Sequence, residues 1–506
     1  MLQNELYSLK RVLVRLTPEE FKTLQSHLSG FHTKFGDYDP KTLQLANLLL
    51  SNTHLNESEI KERINPQASF NTFGKLVKRL KDKAYESLVL DVNIYRKDAY
   101  SKYYVAKFEL RKKLSQAEIL LGKGLSEEAE ALYKYIIIKA KEFELYDVLI
   151  ETLYLYQKFT GLRQGFKEHD NFKKEIIFYE NCRRILNHAQ YLYQRFVAQE
   201  ELKGDKESHE IIAGQVMAEL EEDYKITQSD NVLYYNYLIK IYYLQQLEKY
   251  KSVEKVCLEL LQMISKNKAK FMNKLSGSVY LNLSENSFYL NDFHAALNYT
   301  LQARKYFKSN TFNYFQTFEY EFLVNFYTNN GSAAEKIVLN LLKTTDKDEA
   351  PIRYNKRLYF YACVLLLQKK YENISSILQQ TAVITKDKEG WNIGMRILLI
   401  MSQLERGLLD RADIQIDNMK QYVSEIIKMR PVRKRVITIL RILLALEKQA
   451  FDFKKVIKLH PNYFDLLASN DKEYKWQILS PELIRFDKWF MAMASKKEYV
   501  HELINP

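Results

Sequence analysis

Apolar residues return every three or four positions through almost the whole of this chain, and that single period predicts helix after helix. The plainest case is residues 277–307, GSVYLNLSENSFYLNDFHAALNYTLQARKYF, where two such stripes flank a tight turn at Leu290, Asn291 and Asp292. Two antiparallel helices packed side by side are expected there. Nearer the start, Thr17 stands as an N-cap before Pro18, with Glu19 and Glu20 in the first turn. A loop is expected over residues 30–39, then a helix over PKTLQLANLLL. Asn56 and Glu59 have capping-box spacing ahead of a short helix. Phe70, Phe73, Val77, Leu80 and Ala84 then make one apolar stripe, with lysines on the other faces.

From about residue 97 onward, amphipathic helices succeed one another. The first pair meets at Gly124, with Ser126 as the expected N-cap and Ala129 at the close contact. Gly161 and Gly165 are expected to bracket a loop. An unbroken helical pattern follows over residues 169–202, close to 50 Å at about 1.5 Å per residue, long enough to act as a divider. The segment GDKESHE breaks it. Beyond Asp230 the residues expected to open the second helix of each pair are Tyr250, Phe293, Ser332, Tyr371 and Leu409, at gaps of 43, 39, 39 and 38. A helix is expected after Pro431 and another after Ser480-Pro481, with Ser480 as its N-cap.

Leu283, Ser284, Phe293, Ala296 and Ala303 fall where a tetratricopeptide (TPR) hairpin puts its turn-packing apolar residue and its small contact residues. Residues 100–450 resemble a divergent tetratricopeptide array, although that family repeats at about 34 residues. Ser287, Thr300 and Ile374 depart from its pattern. The whole layout is similar to large helical-repeat proteins of Bacteroidetes. The fold expected is therefore all-α: an irregular TPR-like α-solenoid of antiparallel hairpins. Residues 1–95 form a helical N-terminal region with a degenerate helix-turn-helix outline, 96–450 the repeats, and 451–506 a helical cap over the last one.

Composition narrows the picture. Only 14 glycines and 8 prolines in 506 residues leave few tight turns, which disfavours sandwiches, barrels and Rossmann sheets. Nowhere do 18 apolar residues run together, and Cys182, Cys257 and Cys363 are scattered without a CxxC partner. A soluble cytoplasmic protein with reduced thiols and no membrane insertion is expected. Enzymatic motifs are missing: Gly122-Lys123-Gly124 lacks the phosphate-loop spacing, and Ala213 stands where His209-Glu210 would need a second histidine for zinc. No catalytic residue, cofactor or metal is assigned.

Two binding readings remain. The resemblance implies a concave face that holds a protein or peptide partner, making the chain a non-catalytic scaffold. It places Asn282, and Asn236 one repeat earlier, where clamp-type members hold a peptide backbone. Ser278 and Leu281 occupy the places of the clamp's basic residues. Tyr242, Glu285 and Tyr289 complete the candidate partner-binding set, in a chain of 37 tyrosines and 27 phenylalanines. The alternative is a nucleic-acid-binding or regulatory protein that uses its basic helices and the helix-turn-helix-like N-terminal unit, in a chain of net charge +13. Lys75, Lys78 and Arg79 on the basic helix, with Arg433, Lys434 and Arg435, would form a basic patch for nucleic acid. Further basic clusters stand at Arg111, Lys112 and Lys113 and at residues 266–274.

Overall fold

The computed structural model describes residues 2–29, 40–51, 55–90, 102–164, 166–202, 206–267, 271, 273–309, 311–345, 350–380, 390–429 and 431–502. Every regular element among them is a helix, so the chain is all-α as its periodicity requires. The expected loop over 30–39, Gly165, and residues 268–270 and 272 of the basic run lie outside the described residues. Two compact units divide the chain: Met1–Ile185 with Ala269–Met272, and Leu186–Lys268 with Asn273–Pro506.

The first unit opens with α1 (Leu2–Arg15), α2 (Pro18–Ser29), α3 (Lys41–Ser51), α4 (Glu57–Ile64) and α5 (Phe70–Leu90). The stripe read from the sequence makes α5 the centre: α1, α2 and α3 all pack on it. Phe73, Val77, Leu80 and Ala84 are buried against Leu9, Leu13, Leu24 and Leu45. Both predicted caps form. The Thr17 hydroxyl accepts from the Glu20 amide at 3.3 Å, and the Asn56–Glu59 box closes in both directions. Next come α6 (Lys102–Gly122), α7 (Ser126–Glu142), α8 (Tyr146–Gln164) and α9 (Phe166–Leu202), each of α6 and α7 packing on its successor, and the division between the units falls within α9, after Ile185. Ser126 is the first helical residue of α7, and its cap position falls to Leu125. Gly161 does not open a loop, because α8 continues through it to Gln164. The predicted long helix is α9, at 37 residues.

In the second unit α10 (Lys206–Thr227), α11 (Asp230–Gln246), α12 (Tyr250–Lys266), α13 (Asn273–Tyr289), α14 (Phe293–Arg304), α15 (Phe312–Tyr327) and α16 (Gly331–Lys343) are followed by α17 (Pro351–Leu367), α18 (Glu372–Gln380), α19 (Trp391–Glu405), α20 (Leu409–Ile427) and α21 (Lys434–Lys448). Each packs on the next, a row of antiparallel hairpins. Three short helices, α22 (Phe453–Leu459), α23 (Pro461–Ala468) and α24 (Phe486–Ser495), then gather against α21 and one another. Where hairpin helices touch, the residues are small: Ala296, Ala303, Ala334, Ala362 and Ala412 are fully buried. Ser284, also fully buried, meets the Thr300 hydroxyl at 2.7 Å and donates to the Ala296 carbonyl at 3.0 Å.

One backbone device makes the hairpins. At seven of the turns a single residue takes the left-handed conformation: Glu248, Asn291, Asn329, Lys369 and Gly407 in the second unit, Gly124 and Glu144 in the first. The next amide then bonds a carbonyl five residues back, as Asn330 does to Asn325 at 2.8 Å and Lys370 to Leu365 at 2.9 Å. This satisfies carbonyls that a helix end leaves open and reverses the chain. Only two of those seven residues are glycine. A chain poor in glycine can therefore make many turns, each left-handed side chain costing roughly 1–2 kcal/mol that the packed hairpin offsets.

The tight contact between α13 and α14 is directly testable. Ala296→Glu places an unpaired carboxylate between them and should destabilise the protein by about 3 kcal/mol or more in urea unfolding. An unchanged midpoint would contradict this packing.

Candidate functional site

Between α23 and α24 the chain is non-helical, with turns closed at Asp471–Tyr474 and Gln477–Ser480, and it lies along the first helices of the hairpins. The Ser480-Pro481 helix start expected from the sequence does not occur. Glu482, Leu483 and Ile484 are drawn inward instead, with Leu483 and Ile484 buried, and helix resumes only at Phe486. Two tyrosines hold this stretch by its backbone. The Tyr327 hydroxyl at the end of α15 donates to the Ile478 carbonyl, and the Tyr359 hydroxyl of α17 donates to the Pro481 carbonyl at 2.6 Å. Gly394 in α19 explains itself here: a Cβ on it would stand 2.6 Å from the Pro481 oxygen and 3.1 Å from the Tyr359 hydroxyl. Only a bare backbone admits the crossing strand so closely.

Arg435 anchors the stretch. It is 2% exposed, and its guanidinium grips Glu482 at 2.6 and 2.7 Å, Asp487 at 2.7 Å, and the Leu467 and Tyr474 carbonyls at 2.9 and 2.8 Å. Burial alone would weaken its hold on the proton, but Glu482 and Asp487 more than reverse that and keep it above the ordinary arginine value. Arg433 donates to Gln477 at 3.2 Å and to the Lys472 and Lys475 carbonyls at 3.0 and 2.9 Å. The basic patch expected at 433–435 is thus corrected. Only Lys434 is exposed; its two neighbours are spent inside the fold. Lys75, Lys78 and Arg79 do lie exposed on α5, in the other unit.

The remaining candidates scatter. Asn236, expected to face a partner, is 6% exposed and donates to the Met217 carbonyl of α10 at 3.5 Å, because the α10–α11 contact covers it. Tyr242 is half-buried 5.9 Å from the Phe196 ring. Glu285 accepts from the Tyr320 hydroxyl at 3.2 Å, and Tyr289 stacks on Tyr250 at 4.8 Å. Asn282 is half-buried. Many tyrosines prove to be struts between helices, each reaching a carboxylate: Tyr135 to Glu109, Tyr156 to Glu130, Tyr299 to Glu254 and Tyr371 to Glu405.

The asparagine that grips a peptide backbone is a different one, Asn329. Its side-chain amide donates to the His501 carbonyl at 2.9 Å, while its oxygen accepts from the His501 amide at 3.0 Å. Its place in the hairpin turn, at φ +58°, frees the side chain to reach outward. A turn asparagine was the available signal, but nothing local says what it faces. His501 itself is 7% exposed, packed edge-on against Phe326 and Tyr327 at 4.6 and 5.2 Å. Its Nδ1 meets the Tyr499 hydroxyl at 3.1 Å, and its Nε2 has no hydrogen-bond partner among the described residues. The cleft beside it is lined by Asn291, Phe293, Trp476, Arg485, Lys488 and Glu502. Burial lowers the histidine's pKa to about 3.

Burial also pushes the thiol of Cys182 up to about 11 and that of Cys257 to about 12, leaving both protonated and unreactive at neutral pH. No helix among the described residues is long and apolar enough to cross a membrane. Comparison with family models, curated proteins and solved structures finds no match.

Two predictions follow from this geometry. Gly394→Ala would ordinarily favour a helix by about 1 kcal/mol. Here the added methyl meets a backbone carbonyl, so a net loss of roughly 1–3 kcal/mol and faster proteolysis between residues 476 and 485 are expected. For His501 the folded pKa lies below the unfolded value near 6.5, so the unfolded chain alone takes up this proton between about pH 6.5 and 3. Its contribution is complete above that window and is lost as pH falls through it, at up to about 1.4 kcal/mol per pH unit. His501→Phe should therefore flatten the acid side of a stability–pH curve, and a wild-type-minus-variant difference independent of pH would contradict it.

Proposed function

We propose that the chain is a non-catalytic protein-interaction scaffold whose second unit binds an extended segment of a protein partner along the first helices of its hairpins. One observation carries this reading. That row of helices already holds two non-helical stretches of polypeptide by their backbones, the one before α24 through Tyr327 and Tyr359 and the one after it through Asn329. Groups that read carbonyls and amides suit any extended peptide, while neighbouring pockets choose side chains, which is how peptide-binding faces combine affinity with selectivity. The exposed turns and helix ends supply charge at the edge, including Lys369 and Lys488.

A second reading draws on α5. Lys75, Lys78 and Arg79 are exposed together there, which suits contact with nucleic-acid phosphates. One experiment separates the two. Complexes of the full chain, isolated from its native cell, are treated with a lysine-reactive cross-linker and mapped. The scaffold reading expects a protein partner joined at Lys356, Lys369 or Lys488. Co-purifying nucleic acid, released as salt is raised, with cross-links confined to α5, would support the second reading. Recovery of no partner at all would overturn the first.

A further inference from the structure

Residues 497–502, beyond α24, lie as a short extended segment in a seat of their own. Glu498 pairs with Lys369 at 3.2 Å and Glu502 with Lys488 at 2.8 Å. The Tyr499 hydroxyl accepts from the Arg485 amide at 3.3 Å. Asn329 holds both the amide and the carbonyl of His501, whose ring enters the box made by Phe326 and Tyr327. Val500, between the two inward residues, is exposed. The seat thus reads an acidic residue, an aromatic one, a free position, a ring and a second acidic residue.

Two features mark this as a ligand the fold could exchange. Only Tyr499 and His501 of the segment face inward, while the core formed by Phe486, Trp489 and Phe490 lies wholly within α24 and its neighbours. Its departure uncovers Phe326 and Tyr327 at the edge of the core but parts no pair of helices. Moreover, His501 fits poorly: its Nε2 is buried and has no partner, a desolvation cost that a plain aromatic ring in the same box would not carry. We infer that this seat is a docking site for an extended segment of a protein partner, acidic at both ends and bearing an aromatic ring where His501 now sits, and that residues 497–502 cover it until that partner arrives. The inference rests on the peptide-binding reading above and names the partner's chemistry. The chain's own segment competes from its tether, at an effective concentration of the order of millimolar, so a misfit in it sets the threshold a partner must exceed.

The probe is a labelled synthetic peptide with the sequence of residues 496–502 carrying phenylalanine in place of His501, followed by fluorescence anisotropy. Its targets are the full chain, the full chain with Tyr499→Ser and His501→Ser, and that double variant with Asn329→Ala added. The double variant should bind the peptide at least tenfold more tightly than the unaltered chain. Adding Asn329→Ala should remove most of that gain, and the peptide with histidine should bind about tenfold more weakly than the one with phenylalanine. Equal binding by the first two targets, or indifference to Asn329→Ala, overturns the inference. So does a concentration-dependent dimer of the double variant that the peptide does not dissociate, since a second copy would then be the occupant. Should the double variant fail to fold, His501→Phe in the full chain takes its place. That change should slow hydrogen exchange at residues 497–502, and an unaltered rate is equally fatal. A partner cross-linked to the second unit but not displaced by the peptide defeats this inference alone; absence of any partner defeats the scaffold reading itself.

Discussion

A helix of about seventeen residues in water is marginal, and most of its stability in a protein comes from the apolar face it buries. Nearly every helix here is of that kind, and within the second unit each buries its stripe against the helices before and after it in the chain. Stability is then a sum of neighbour contacts, and what matters at each contact is how closely two helices approach. The fully buried alanines and the Ser284–Thr300 pair set that distance. The left-handed turn residues set the reversal that makes approach possible.

A row built this way leaves two problems at its end: an apolar face without a neighbour, and first-helix surfaces open along one side. The chain answers both with residues 453–502. Phe453, Phe464, Phe486, Trp489 and Phe490 cluster over the end of the row. The non-helical stretch before α24 then fixes itself to the open side, with Arg435 as its deepest anchor. A charge this deeply buried is tolerated because every donor has an acceptor and two carboxylates share the guanidinium. The tyrosine struts obey the same rule. A hydroxyl at the tip of an apolar ring lets a large side chain fill the space between long helices and still satisfy its polar end on a neighbouring glutamate.

Backbone-directed grip gives the second unit its functional character. Tyr327 and Tyr359 hold main-chain groups of the stretch before α24, and Asn329 those of the segment after it, contacts that require exposed backbone but not a particular sequence. The neighbouring charges and the aromatic box at Phe326 add the selectivity. A seat of this kind works equally on a strand of the same chain or of another, and tethering alone gives the chain's own strand its advantage.

The sequence by itself determined the helices, their caps at Thr17 and Asn56, the length of α9, and the hairpin rhythm, whose second helices begin at or within one residue of the expected positions. These are local matters: periodicity of three to four, a capping side chain, a small residue at a contact. It could not determine what faces what. Asn236 and Asn329 are alike in the sequence, yet one is closed beneath α10 and the other grips a strand 172 residues away. Arg435 reads as a surface cation in a run of basic residues, and only the return of Glu482 and Asp487 from a later segment makes it a buried anchor. Ser480-Pro481 reads as a helix start, and a long-range contact on the Pro481 carbonyl holds it in a non-helical bend instead. Tertiary structure decided these points because a local pattern fixes a residue's conformation, whereas its partner is supplied by whichever distant stretch the packing brings alongside.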